Sequence, residues 1–488
     1  MQEAMSNVKC QMSNQVQMSN VKCRPPEFGR WSLLGVVVAL FAVVAIGKAR
    51  PLTVEECVLL GLENNPTLVA SQAGVDYAQA RKREALAARL PSLKLTGGYT
   101  RLNPVDPFVF TLPTHPPIAE TVVPSITNSY QSKLTLQQPL FTGFRLHSAS
   151  AIAGENARAA GNDLARDRAQ LLYDIHSGYW RLFQAVKSEA TVEGNIKRMQ
   201  AHLTDIRNMQ TKGLAMRNDV LKVQVQVANV ELAAVDARNG VQVAMTALNN
   251  LIGLPLSTDI EPVSTPYPDP LPASGAREQK SEADRRDGSG DVTNGEDSLP
   301  ALIANAQERR PEIKSLEARV RASADGVNLA RAAWYPQIVA SGDFIYARPN
   351  QRTFPAQDKF TPSWDVGVGA SFDVWNWGTA AHQTAEAKAQ FRQVQASLTQ
   401  LKNGIALQVT QDFLSLEKAR VKVSVAETAV VQAEENQRVA RDGFAAGIVL
   451  SSELLDAEVS LLQAQLNLTQ AQADLEIGRA KLEQTLGK

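Results

Sequence analysis

Residues Trp364–Val374 read W-D-V-G-V-G-A-S-F-D-V. In extended chain, side chains alternate between two faces. Trp364, Val366, Val368, Ala370, Phe372 and Val374 then share one face, and Asp365, Gly367, Gly369, Ser371 and Asp373 the other. Three more segments alternate in the same way: Leu93–Arg101, Tyr130–Leu140 and Gln337–Tyr346. Each is about ten residues long, the length of a tilted strand crossing an outer membrane. An amphipathic hairpin resting on a soluble core gives the same pattern, so alternation alone leaves both settings open.

Around these strands the chain repeats itself. Pro66 to Pro91 and Pro311 to Pro336 run in register at one offset (311 − 66 = 336 − 91 = 245). Each block runs from N-N-P or R-R-P through a helical pattern to a proline that opens a strand. The parallel resumes at a second offset (447 − 213 = 487 − 253 = 234), which pairs Gly213 with Gly447 and Gly253 with Gly487. The offset changes only between the two strands of each copy, where a loop absorbs length.

Proline and glycine punctuate each copy. Thr53 and Glu56 have the spacing of a capping box. Pro66 is placed to open a helix, and Pro91 and Pro336 to end the helical pattern before a strand. A proline-laden loop is expected between the first two strands, from Pro104 to Pro124. Long proline-free helical patterns follow each hairpin. They predict helical hairpins over 145–252 and 379–486, turning near Gly213 and Gly447. A helix of about 65 residues is roughly 100 Å long. The expected organisation is a first repeat over 50–255, with its β-hairpin at 92–141. A flexible linker at 256–298, rich in Pro, Gly, Ser and charge, leads to a second repeat over 299–488 with its β-hairpin at 337–374.

The front end reads as a targeting segment. Trp31–Ile46 is an uncharged run preceded by Lys22, Arg24 and Arg30 and followed by Gly47-Lys48-Ala49. That order predicts a secretory signal within 1–49, cleaved after Ala49. The alternative is a retained membrane anchor, for which the run is short, since spanning takes about 20 residues. M-S-N-V-K-C occurs at both Met5–Cys10 and Met18–Cys23, which suggests a start at Met18.

Composition narrows the function. Fifty basic and fifty acidic residues cancel, so no nucleic-acid partner is expected. Cys10, Cys23 and Cys57 have no zinc or C-x-x-C spacing, and the five histidines are scattered. No H-E-x-x-H, P-loop, strand-linked G-x-G-x-x-G or G-x-S-x-G is present, so neither an enzyme nor a cofactor is expected.

Four strands cannot close a barrel in lipid, where the smallest use eight and an open edge is not tolerated. If these strands lie in a membrane, several chains must pool them. Twelve strands from three chains would leave an aqueous lumen lined by Lys94, Gln131, Lys133, Asp365 and Asp373. Gly143 and Gly378, each just after a strand, suit the bend into a long helix.

The chain resembles the outer membrane efflux proteins of the TolC type. The resemblance rests on L-T-V-E-E at Leu52–Glu56, E-N-N-P at Glu63–Pro66, L-P-S-L at Leu90–Leu93, Q-P-L-F at Gln138–Phe141, and the doubled plan. It implies a mainly α fold with a membrane β-barrel portion: a homotrimer whose 12-stranded β-barrel continues as a 12-helix α-barrel. It implies a place in the lipid bilayer of a Gram-negative outer membrane, with a long periplasmic extension. The implied function is a passive export conduit, docked to a periplasmic adaptor and an inner-membrane transporter.

The resemblance also assigns candidate sites. The turns joining the long helices would form the periplasmic constriction. Glu453 and Asp456, spaced i, i+3, would ring it with carboxylates, with Asp219 and Lys222 at the equivalent places in the first copy. Acidic residues are also favoured in a first helical turn by its dipole. Arg217, Arg438, Arg441 and Asp442 are candidates for ion pairs that hold the tip closed. Gly213-Leu214 and Gly447-Ile448 are candidate adaptor contacts, since an exposed apolar tip needs a reason. Packing between neighbouring hairpins explains them equally well. Trp364, Tyr99, Tyr130 and Tyr346 suit an aromatic girdle. The competing reading is a periplasmic coiled-coil adaptor, which would need one helical hairpin within β domains instead of two complete copies.

Overall fold

The computed structural model describes residues 50–113, 118–123, 125–263, 298–354 and 356–487. The expected signal segment at 1–49 and the linker core at 264–297 lie outside them. Among the described residues no helix is long and apolar enough to cross a membrane.

The first repeat opens with β1 (Arg50–Leu52), α1 (Val54–Asn64) and α2 (Pro66–Ala87). The capping box is present: Glu56 N–H donates to Thr53 Oγ1 at 3.3 Å, and Thr53 N–H to Glu56 Oε2 at 2.9 Å. Pro66 is the first residue of α2. Strands β2 (Ser92–Arg101), β3 (Phe108–Leu112), β4 (Ile118–Val123) and β5 (Asn128–Phe141) follow. Then come α3 (Arg145–Thr211), α4 (Arg217–Ile252) and β6 (Ile260–Pro262). The second repeat has α5 (Leu299–Arg309), α6 (Pro311–Arg331), β7 (Gln337–Arg348), β8 (Thr361–Ser371), α7 (Thr379–Ala445) and α8 (Ser451–Leu486).

The repeats match to the residue in the helices of their long hairpins. α3 and α7 each contain 67 residues, and α4 and α8 each contain 36. Two sequence expectations need correction. The proline-laden loop holds a β3–β4 hairpin. The stretch expected to be linker from residue 256 contains β6, which pairs in parallel with β1 and ties the two ends of the first repeat together.

The four long strands form one antiparallel sheet, ordered β2-β5-β7-β8. The two hairpins therefore join through β5–β7, with Leu134 opposite Phe344 and Gln137 opposite Ser341. The sheet is open within one chain, and β2 and β8 are its edges. Its apolar face is bare: Leu93, Leu95, Tyr99, Trp364, Val366 and Val368 are all at least 56% exposed. A hairpin seated on a soluble core would bury that face. The polar face pairs internally, with Lys133 Nζ 2.8 Å from Asp343 Oδ2 and Arg352 Nη2 2.6 Å from Asp365 Oδ2.

The core lies among the helices. Leu52, Cys57, Ile175, Tyr179, Leu182, Leu248, Ile252 and Ile260 pack where α1, α3 and α4 meet β1 and β6. The Tyr179 hydroxyl donates to Leu52 O at 3.1 Å, so a buried phenol is satisfied. Burial pushes the Cys57 thiol up to about 11, which leaves it inert at neutral pH. Ile313, Ile405, Val409 and Leu486 form the counterpart core of the second repeat.

Strand becomes helix through two consecutive left-handed residues in each repeat. They are Gly143 and Phe144 (φ 59° and 68°) before α3, and Trp377 and Gly378 (φ 53° and 76°) before α7. Gly143 and Gly378 are thus not in equivalent slots; the offset of 234 pairs Gly143 with Trp377 and Phe144 with Gly378 (377 − 143 = 378 − 144). The corner geometry is common to both repeats, but the glycine has moved by one position. Gly143 is also crowded: a Cβ there would lie 2.6 Å from Ala332 O.

Candidate gate and docking tip

Each long helix ends in the same cap. Gly213 and Gly447 have φ of 74° and 73°. Leu214 N–H donates to Met209 O, and Ile448 N–H to Gly443 O, both at 2.9 Å. These are the reversed hydrogen bonds of a left-handed glycine stop. Leu214 and Ile448 are 75% and 82% exposed, as expected of tip residues. Sequence reading missed their companions Met216 and Leu450, which occupy equivalent positions and are 75% and 67% exposed. Each tip therefore presents two bare apolar side chains two residues apart.

The expected gate residues lie one turn further in. Glu453 and Asp456 are exposed on α8, and Lys222 is exposed on α4. Asp219 is half-buried, and its Oδ2 accepts the Met216 N–H at 3.2 Å, so it caps the start of α4. Arg438 pairs with Glu435 and Asp442 on its own helix, and all three are at least 60% exposed. Such pairs stabilise little. Arg217 is exposed.

The cluster that binds the tip together centres on Glu458, which the sequence reading did not single out. Its side chain is 5% exposed. Oε2 accepts from Arg198 Nε of α3 at 2.9 Å. Oε1 accepts from Gln437 Nε2 at 2.6 Å and from Arg441 Nη2 at 3.4 Å, both on α7. Arg441, one of the residues expected to hold the tip, thus contributes an ion pair. A signal for Glu458 did exist: it lies on α8 in line with Leu454, Ala457 and Leu461, all buried. A carboxylate inside an apolar stripe demands a partner.

His202 of α3 adds a second link to α8. Its Nε2 is 3.0 Å from Ser451 Oγ, and its ring meets Phe444 edge-on with centroids 4.9 Å apart. Burial holds His202 below its ordinary value of 6.5, opposed by the nearby Asp205 and Glu458 carboxylates. Met199, Ile206, Val220, Val223, Phe444 and Leu454 fill the space around it. An open groove of about 750 Å³ borders the cluster, lined by Arg198, His202, Asp205, Arg441, Phe444 and Glu458 among others.

At the opposite end of α3 and α7, Pro91 directly precedes β2 and Pro336 directly precedes β7. Trp375 and Trp377, at 75% and 85% exposure, mark the corner between β8 and α7.

Comparison with known proteins follows the division of the chain into two repeats. The sequence model of the family described as outer membrane efflux protein matches residues 60–254 and 302–488, one match per repeat. The proteases secretion protein PrtF of Dickeya chrysanthemi is 22% identical over 435 residues, covering 87% of this chain and 85% of that protein. Among solved structures, a membrane protein from Pseudomonas aeruginosa superposes with a TM-score of 0.72 at 19% identity, covering 89% of this chain and 93% of the other. The outer membrane protein VceC from Vibrio cholerae gives 0.71 at 19% identity, covering 89% and 96%.

Proposed function

This chain belongs to the outer membrane efflux protein family, and from that premise we propose that it is a passive export conduit built by three identical copies. Family membership makes it an outer-membrane efflux or secretion channel with a periplasmic extension. The carrying observation is the open four-stranded sheet, bare on its apolar face and continuous with two 67-residue helices. Backbone polar groups on an open edge are not tolerated in lipid, and four strands are too few to close. Three copies supply twelve strands, enough for a barrel with an aqueous lumen. Each copy brings two long helical hairpins, so the same three-fold arrangement continues the wall as a 12-helix tunnel of roughly 100 Å.

In this reading the glycine-stopped turns are the periplasmic entrance. Glu453 and Asp456, repeated three times around the axis, present six carboxylates and favour cations. The bare pairs Leu214–Met216 and Ile448–Leu450 dock to a periplasmic adaptor, which links the conduit to an inner-membrane transporter. The reading as an adaptor in its own right accounts for neither the second helical hairpin nor the sheet. Similarity to a protein named for protease secretion supports protein cargo moved by a type I secretion system as the first substrate class to test.

The test is reconstitution. The purified full chain should run in detergent as a particle of three chains that dissociates on heating, and should form conducting pores in planar bilayers. Recovery as a monomer that needs no detergent and forms no pores would overturn the proposal.

A further inference from the structure

One chain leaves bare the surfaces whose counterparts it covers. β7 corresponds to β2 at an offset of 245 (337 − 92), and β8 corresponds to β5 at 234 (364 − 130). Inside the chain, β5 pairs with β7. The repeat counterpart of that contact is β8 against β2, and these are the two opposite edges of the sheet. One chain cannot make it.

The helices show the same asymmetry. α6 is stapled to α3, with Arg319 Nη2 2.6 Å from Asp163 Oδ2 and Ser315 Oγ donating to Asp163 Oδ1 at 2.8 Å. Ala318 of α6 is fully buried and Ala159 of α3 is 3% exposed. Their counterparts, Ala73 of α2 and Gln393 of α7, are exposed. The uncovered patches therefore lie on α2 and β2 in one repeat and on α7 and β8 in the other.

We propose that a second copy of this chain closes that gap in one definite register, the one carried over from β5–β7. Leu134 opposite Phe344 becomes Val368 opposite Tyr99. Gln137 opposite Ser341 becomes Ser371 opposite Thr96. Pro139 opposite Val339 becomes Asp373 opposite Lys94, which requires β8, ending at Ser371 in the single chain, to extend by two residues at the seam. This assignment rests on the trimeric conduit reading and specifies its seam.

Two features that the mapping was not built to satisfy support it. The first is facial agreement. Val368 with Tyr99, Ala370 with Gly97 and Phe372 with Leu95 share the apolar face, and Ser371 with Thr96 the polar one. A slip of one residue would set every apolar side chain against a polar one. The second is charge. The register brings Lys94 and Asp373 directly opposite, a favourable cross-strand pair. It sits on the polar face, where Lys133 and Asp343 already pair within the chain.

Cysteine pairs test this in the full-length chain. Ser371→Cys with Thr96→Cys should give linked dimers and trimers on mild oxidation, seen on a non-reducing gel. Each single variant should give none. Ser371→Cys with Gly98→Cys, two residues out of register on the same face, should link at least tenfold less. Stronger linking by the shifted pair overturns the register. Linking by neither pair in a particle of three chains overturns the seam and leaves the conduit reading standing. A monomeric particle overturns both. As an independent measurement, Lys94→Asp and Asp373→Lys should each lower the temperature at which the trimer dissociates, and the double exchange should restore at least half the loss. Failure of the double exchange to restore it counts against the Lys94–Asp373 pair.

Discussion

Arg198 Nε and Glu458 Oε2 lie 2.9 Å apart and join the first long helix of one repeat to the last helix of the other. Glu458 is nearly fully buried, whereas Arg198 is 28% exposed and Arg441 is 54% exposed. Removing the carboxylate strands two guanidinium groups that water can still reach in part. Glu458→Ala should therefore cost about 1–3 kcal/mol, below the 3–5 of a fully buried pair. Hydrogen exchange across residues 450–461 reads the loss, and Glu458→Gln should retain part of the protection.

The exposed carboxylates should act on ions and leave the fold intact. Replacing Glu453 and Asp456 together with Gln and Asn should weaken cation selectivity in planar bilayers, since rings of acidic side chains set such preferences. The melting temperature should stay within a degree or two. Unchanged reversal potentials under a salt gradient would remove both residues from the constriction.

The two strand-to-helix corners should respond unequally to alanine. Gly378→Ala meets nothing closer than His382 Nε2 at 3.6 Å, so its cost is that of a left-handed non-glycine residue, about 1–2 kcal/mol. Gly143→Ala adds a collision with Ala332 O at 2.6 Å and Tyr335 Cβ at 2.7 Å. Its cost should exceed about 3 kcal/mol, since overpacking adds to strain. Thermal unfolding of the two single variants compares them directly.

Acid should loosen the tip through His202. The folded protein holds this imidazole below its ordinary 6.5, mainly by burial. The unfolded chain then binds the proton more readily, and stability rises with pH across that window. The contribution of His202 is full above about pH 6.5 and is lost as pH falls through the lower folded value. The charged groups that share its groove are Lys197, Arg198 and Asp205 of α3, Lys212 at the turn, Arg441 of α7 and Glu458 of α8, and Ser451 of α8 bonds the ring. Exchange protection at 199–206 should fall between pH 7.5 and 5, and His202→Gln should flatten that dependence.

Much of this architecture was legible because it is written in local patterns. Period-two alternation marked all four long strands, prolines marked the starts of β2 and β7, and glycines marked both helix stops. The duplication could be read at two constant offsets. What escaped depends on contacts distant in sequence. The union of hairpins through Leu134 and Phe344 spans 210 residues (344 − 134) and leaves no periodic trace. β1 and β6 are three residues each, too short for a period. β3 and β4 were hidden by flanking prolines. At the tip, the turns were placed by their glycines, and Glu453 and Asp456 were singled out by the family resemblance. Glu458 was not, although it falls in line with Leu454, Ala457 and Leu461, because its partners on α3 and α7 are distant in sequence. The corner glycines were found, but their inequivalence was not, since two successive left-handed residues tolerate a glycine in either slot.

The equal 67-residue lengths of α3 and α7 make each helix a ruler with a dial attached. Deleting one residue near the start of α3 would draw its far end back by about 1.5 Å and rotate it by roughly 100°. The rotation matters more, because it would swing Arg198 off Glu458 and His202 off Ser451 together. Length changes in these shafts should survive only in multiples that restore the heading, about seven or eleven residues, or when both shafts change alike.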